Sequence, residues 1–326
     1  MTEGKPLLLL ILAALCCAAL LKLLLASGLA ARLALDQPNA RSLHVTPTPR
    51  CGGLGVVAVA LMSAALGLPQ SALFMTGFAL LAVISWLDDR GGMPIVVRFA
   101  SHFIAAILIV IGVPDTFWLW SVLAVFAMVW GTNLFNFMDG ANGMSSAMLL
   151  AGFGSYALAG WQVGSWPVEV SAALAGAGIG FGWFNRTPAR LFLGDVGSIP
   201  AGFAMGAIGF LGWHQALWPW WFPWLVFSPF VADASFTLCR RAWRREKVWR
   251  AHREHFYQRL IQSGFSHSST ASLWFCMMLT AGCLALSLRQ ASGVVVAVAI
   301  GSYLLALAGI ALWIERRYAR VAHEPA

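Results

Sequence analysis

Apolar and polar positions fall in long blocks along this chain, without the short periods of a water-facing helix or strand. Mostly apolar runs of about 16–22 residues, long enough to cross a bilayer as helix, lie near 6–27, 53–69, 71–87, 94–112, 116–134, 144–161, 167–184, 198–213, 217–236, 271–288 and 292–314. They predict an all-α, polytopic integral membrane protein with about eleven (10–11) transmembrane helices. The links at 69–71 and 289–292 read as hairpin turns. The first run is longer than the apolar core of a signal peptide and is read as a helix. With no repeat or second soluble domain visible, 1–326 is read as a single membrane-embedded domain.

Composition agrees. The chain is 60% hydrophobic and 10% charged, where a soluble protein carries about 25% charged residues, and its mean hydropathy is +0.75. Alternate loops fall on two sides, one holding 28–52, 88–93, 135–143, 185–197, 237–270 and the chain after 314. With Arg98, just inside its helix, that side carries all 21 lysines and arginines except Lys5, Lys22 and Arg289. The positive-inside rule makes it cytoplasmic and puts the N-terminus outside. The net charge of +8 therefore reports topology and calls for no nucleic-acid partner. The six cysteines form no C-x-x-C pair and none lies in an outer loop, so neither disulfides nor zinc are expected. Trp213, Trp218, Trp220, Trp221 and Trp224 read as an outer aromatic belt, and "AGAGIGFG" at 175–182 as close helix packing.

All 13 acids except Glu3, Asp115 and Glu169 share the cytoplasmic side. Asp88, Asp89, Asp139 and Asp195 lie at or beside the cytoplasmic ends of spans. Taken singly, "WLDDRGG" reads as a solvated helix end, and "LFLGDVGSIP" as a turn with Ser198 as N-cap and Pro200 in the first helical turn. Taken together, carboxylates from three loops at one depth repel unless a cation joins them, which is what a divalent-metal site needs. "NLFNFMDGANGMSS" at 133–146 adds Asn133 and Asn136, three apart on one helical face. The loop 237–270 contains "CRRAWRREKVWRAHREHFYQRL", a basic amphipathic helix suited to anionic headgroups. Its His252, Arg253, His255 and Arg259 also suit a phosphate-bearing ligand. The loop 35–53 adds Asn39, Arg41, His44 and Arg50. Carboxylates for Mg²⁺ and cations for phosphates on one membrane face suit a water-soluble phosphate donor and a lipid-borne acceptor.

The order D-x-P-x-x-R-S-x-H (36–44), P-R-x-G-G (49–53), D-D (88–89), N-x-x-N-x-x-D-G-x-N-G (133–143), G-D-x-G-S (194–198) and H-x-x-H (252–255) resembles the polyprenyl-phosphate N-acetylhexosamine-1-phosphate transferases, glycosyltransferase family 4. The run "AHREHFYQRL" is similar to the branch initiating O-antigen and related surface glycans. The resemblance implies transfer of a sugar 1-phosphate from a UDP-N-acetylhexosamine to undecaprenyl phosphate, with release of UMP, at the cytoplasmic face of a bacterial inner membrane. It implies Mg²⁺, with Mn²⁺ as a substitute, held by Asp195 and Asn136. Asp88 and Asp89 are expected beside the acceptor phosphate, as metal shell, orienter or proton acceptor. His252, Arg253, His255 and Arg98 are expected at phosphate, and Asp139 and Asn142 on the nucleotide side; Asn39, Arg41, His44 and Asn133 complete the substrate-binding set. Asn142 stands where bacterial relatives commonly carry Asp, and Glu254 where many carry His, which bears on the donor contacts and the sugar. His102 is read as a packing histidine, and Asp233 as a partner of nearby arginines.

Three other classes compete: a transporter of lipid-linked or phosphorylated solutes, a CDP-alcohol phosphotransferase and a non-catalytic homologue. Paired broken helices around midplane charges and a D-G followed closely by A-R are not seen, and Asp88, Asp89 and Asp195 are retained. The sugar, the glycan and a homodimeric state stay open.

Overall fold

In lipid, backbone N–H and C=O groups must be satisfied within their own segment, and the apolar runs fold accordingly as helices. The computed structural model describes residues 4–38, 46–67, 69–113, 116–248 and 252–323. Helix α1 (Lys5–Ala26) and short α2 (Leu29–Leu33) lead into a two-stranded antiparallel ribbon, β1 (Leu35–Asp36) with β2 (Thr48–Pro49). Then come α3 (Gly53–Ala65), α4 (Ala72–Gly91), α5 (Ile95–Ile111) and α6 (Trp118–Phe137). α7 (Met144–Met148) and α8 (Gly154–Ala159) are joined by a π-helical turn, Leu149–Phe153. α9 (Trp166–Asn185), α10 (Asp195–His214), α11 (Phe222–Val226), α12 (Ser228–Trp243), α13 (Phe256–Gln262), α14 (His267–Leu288) and α15 (Gly293–His323) follow.

The protein is an all-α, multi-pass membrane protein. Among the described residues, α1, α4, α6, α10, α14 and α15 are long and apolar enough to cross a bilayer, and α3, α5 and 144–159 are shorter apolar helices. Helical segments lie at each of the eleven expected spans, but length and hydropathy alone support six crossings, so the full count stays an expectation.

α10 is the buried centre, packed against α6 and α4. Its small residues let neighbouring backbones approach closely. At its first turn the approach is closest: a Cβ on Gly197 would stand 2.5 Å from Gly53 Cα. The run 175–182 serves α9 in the same way, against α1. α15 lies at the periphery, with little of its apolar stretch buried.

Two expectations change. Ser198 is not an N-cap: α10 begins at Asp195 with Gly194 as its cap, and Pro200 sits inside the helix. Nor is 237–270 a headgroup-lying helix. α12 runs on to Trp243, residues 252–255 are irregular, and α13 buries Phe256, Tyr257, Gln258, Arg259 and Leu260 against the bundle. The physical reason is Asp233 on α12. Its carboxylate accepts the N–H groups of Phe256 (2.8 Å) and Tyr257 (3.1 Å), drawing the segment inward instead of pairing with arginines.

Candidate active site

Helices α4, α6 and α10 each carry polar residues about one turn beyond the apolar run, so Asp88, Asp89, Asn133, Asn136 and Asp195 sit on helix ends and not in loops. Asp88 and Asp89 occupy the last turn of α4, where successive side chains diverge by about 100°. They therefore do different things. Asp88 Oδ1 accepts the Met93 N–H at 2.6 Å, and Oδ2 lies 3.0 Å from Arg98 Nη1. Arg98 Nη2 is 3.5 Å from Asp195 Oδ2, so one guanidinium bridges two carboxylates.

Asp89 points inward. Its Oδ2 accepts the Val196 N–H at 3.1 Å, and Oδ1 lies 3.5 Å from Arg50 Nε, while Arg50 Nη2 donates to the Asp89 carbonyl at 2.6 Å. The first N–H groups of a helix lack internal partners and favour negative charge. Gly194 has no side chain to supply it, so Asp89 caps α10 from a neighbouring helix. Gly194 holds φ +74°, and a Cβ there would stand 3.1 Å from Asp89 Oδ2.

Asn136 Oδ1 accepts the Ser198 hydroxyl at 2.9 Å, one turn of α10 from Asp195. Asn133 turns to α5, with Nδ2 donating to the Val129 carbonyl (2.8 Å) and lying 3.4 Å from Nδ1 of buried His102. Among the described residues no three His, Cys, Asp or Glu side chains form a metal cage. A set of Asp195, Asn136 and Asp88 oxygens nonetheless fits Mg²⁺. That ion is ordinarily held by one or two carboxylates and takes its remaining ligands from water and substrate phosphates.

The loop after α6 is fixed from three sides. Gly143 N–H donates to Asn185 Oδ1 (2.7 Å), Asn142 N–H to His267 Nδ1 (3.2 Å), and the Tyr257 hydroxyl to the Phe137 carbonyl (3.1 Å). Asp139 accepts a short hydrogen bond from the Ser145 hydroxyl. Burial pushes its carboxyl up to about 8, against the pull of that hydroxyl and reinforced by Asp195 and Asp89.

His252 and His255 come together with ring centroids 4.8 Å apart. Burial, then His255, Arg241 and Arg240, push His252 down to about 3, so it is neutral at physiological pH. Its Nδ1 accepts the Glu254 N–H (3.3 Å), which leaves the proton on Nε2, free to donate to a ligand oxygen. His255 is buried, its Nδ1 3.3 Å from Asp233 Oδ1 and its ring stacked on Phe137 at 6.2 Å. That stacking joins the histidines to the end of α6. Arg253 is exposed. Glu254 turns its carboxylate to Arg241 (3.5 Å), Arg244 (3.4 Å) and Arg259 (3.4 Å). Asn39, Arg41 and His44 lie outside the described residues.

Sequence reasoning missed Asn185, Asp233, Tyr257 and His267 as supports. Asn185 and His267 are polar residues at helix ends, a weak signal. Asp233, a carboxylate within an apolar span, is a stronger one.

An apolar groove of ≈ 450 Å³ runs between α6, α10 and α11–α12, from Trp220 and Trp224 to Leu134. The tryptophan belt is partial: Trp220 and Trp224 are exposed, whereas Trp218 is buried and stacks on Tyr156 at 4.9 Å.

Residues 71–212 match the model of glycosyl transferase family 4, a stretch holding Asp88, Asp89, Arg98, Asn133, Asn136, Asp139, Asn142 and Asp195. The chain is 27% identical over 255 residues to a probable undecaprenyl-phosphate N-acetylglucosaminyl 1-phosphate transferase of Bacillus subtilis (strain 168), covering 72% of this chain and 71% of that one. It is 29% identical over 297 residues to a decaprenyl-phosphate N-acetylglucosaminephosphotransferase of Mycobacterium tuberculosis (strain CDC 1551 / Oshkosh), covering 73% and 72%. Over 98 residues, 30% of each chain, it is 40% identical to a phospho-N-acetylmuramoyl-pentapeptide-transferase of Bacillus pumilus (strain SAFR-032).

Proposed function

From this likeness to polyprenyl-phosphate sugar-1-phosphate transferases, we propose that the protein moves an N-acetylhexosamine 1-phosphate from a UDP-sugar to undecaprenyl phosphate. The step releases UMP at the cytoplasmic face of a bacterial inner membrane and begins O-antigen or a related surface polysaccharide. The observation that carries the reading is Arg98 held between Asp88 and Asp195, in a protein that also offers an isoprenoid chain an apolar groove. A lipid with an anionic head needs both.

In the reaction an oxygen of the lipid phosphate attacks the sugar-bearing phosphorus of the donor. One P–O bond forms, the bond to UMP breaks, and UMP carries away the electron pair. A phosphate monoester is largely ionised at pH 7, so no strong base is required, and the protein's task is to orient two anions and offset their charge. Arg98 meets the phosphates, and Asp88 sets the guanidinium. Asn136 and Asp195, with Asp88, would hold Mg²⁺, which when bound neutralises the donor diphosphate. Asp89 fixes the first turn of α10 and thereby Asp195. His252 offers its Nε2–H to the donor side, and the loop bearing Asp139 and Asn142 borders the nucleotide.

The test is UMP release by purified protein in detergent, given undecaprenyl phosphate, Mg²⁺ and a panel of UDP-N-acetylhexosamines. Release that needs lipid, metal and Asp195 upholds the reading and names the sugar. Folded protein that yields no UMP from any donor sinks it.

A further inference from the structure

Residues 252–255 form neither helix nor strand, so contacts from outside must fix where His252 and His255 point. The Glu254 carbonyl, between the two histidines, accepts hydrogen bonds from two guanidiniums: Arg240 Nη2 at 3.0 Å and Arg259 Nε at 3.0 Å. Two like charges converge on one oxygen only if a counter-charge offsets their repulsion. Of the two, Glu254's own carboxylate reaches Arg259 alone, at 3.4 Å, and the carboxylate that meets both guanidiniums is on α15. Glu315 Oε1 lies 2.5 Å from Arg240 Nη1, and Oε2 lies 2.5 Å from Arg259 Nη1. The three side chains are 30%, 15% and 10% exposed, so solvent screens the cluster far less than it does a surface pair. Ile314, the neighbour of Glu315, is buried and anchors that stretch of an otherwise peripheral helix.

The geometry points to Glu315 as a positioning residue for the histidine loop. It holds Arg240 and Arg259, they hold the Glu254 carbonyl, and the carbonyl sets the two imidazoles against the end of α6. Glu315 itself touches neither histidine in this chain of contacts. The inference rests on the proposed function only for what the loop binds, the nucleotide-sugar diphosphate; the mechanical link is independent of it.

Full-length Glu315→Gln in detergent tests both parts. Amide hydrogen exchange is followed over 252–262 and, as a reference, over 88–98 and 195–200, and UMP release is measured against each substrate. Exchange should rise over 252–262 alone, and the donor KM should rise about tenfold, the loss of a charge-assisted hydrogen bond, with the acceptor KM unchanged. Unchanged exchange over 252–262 overturns the inference. So does an equal rise in all three segments, which marks a general packing role. A local rise in protein that makes no UMP from any donor upholds Glu315 and removes the functional reading instead. Should Glu315→Gln not fold, Arg240→Lys reads the same link, because an ammonium keeps the charge but lacks the fork to reach both Glu315 and the carbonyl. The same local rise is expected, and its absence overturns the proposal.

Discussion

The carboxylate corner and the histidine loop both meet the end of α6 but are held by different forces. Asp88, Asn136 and Asp195 stand on the ends of membrane helices, and their places follow from backbone packing, with Gly53 against Gly197 at the centre. The histidines stand on irregular chain, and their places follow from charge: Asp233 against His255 and the first N–H groups of α13, and Glu254 and Glu315 against a set of arginines. The first region should fail when volume is added, and the second when charge is removed.

The largest effect should come from the chemistry itself. Asp88→Asn and Asp195→Asn should each lower UMP release about 10²–10³-fold, with melting temperature little changed, as activity assays beside calorimetry can read. Asp89→Asn separates the two adjacent acids. It weakens the cap on α10 and the hold on Arg50, so thermal stability should fall by about 1–3 kcal/mol along with activity. If Asp89→Asn loses activity at full stability, the division of labour between the two is wrong.

Next comes Gly197→Ala. One methyl group against Gly53 should cost about 1–3 kcal/mol, read from denaturation, whereas Gly264→Ala in the histidine region meets no atom within 4 Å and strains only its backbone, at φ +96°. A pH-dependent effect follows from Asp139. Its folded carboxyl titrates near 8, above the unfolded value near 3.9, so charging it in the folded protein costs stability as pH rises from about 4 to about 8. Asp139→Asn removes that loss. Its advantage in melting temperature over the wild type should grow between pH 5 and pH 8. Smallest is Arg244→Gln. That guanidinium is half exposed in its pair with Glu254, and its loss should cost under about 1 kcal/mol. A larger loss would show the charge cluster to be more strongly coupled than its exposure implies.

Much of the frame was legible in the sequence, because lipid imposes one rule on every span and apolar runs report it directly. The motif residues were legible too, since Gly-Asp, Asp-Asp and spaced Asn stand out against apolar chain. Hydropathy could not show that α4, α6 and α10 continue past their apolar runs, because polar helix turns are invisible to it when another helix supplies the partners. It separated neither Asp88 from Asp89 nor Asn133 from Asn136, since helical phase matters only once neighbours are known. Glu254 looked like a substitution within a histidine motif; its carboxylate in fact joins the arginine cluster. The supports that link distant segments, Asn185 to Gly143 and Asp233 to α13, carry no local pattern at all.

The contact of Glu315 with Arg240 and Arg259 also sets when, during synthesis, the histidine loop can be fixed. Ribosomes deliver a chain N-terminus first, at about 5–20 residues per second. The carboxylate corner is therefore assembled once α10 has entered the membrane, while the histidines must wait for α15, which is made after them. A newly inserted chain passes through an interval in which its acids are in place and its donor loop is unclamped. On the proposed function, the donor is held more weakly in that interval, and its full hold waits for α15 to dock.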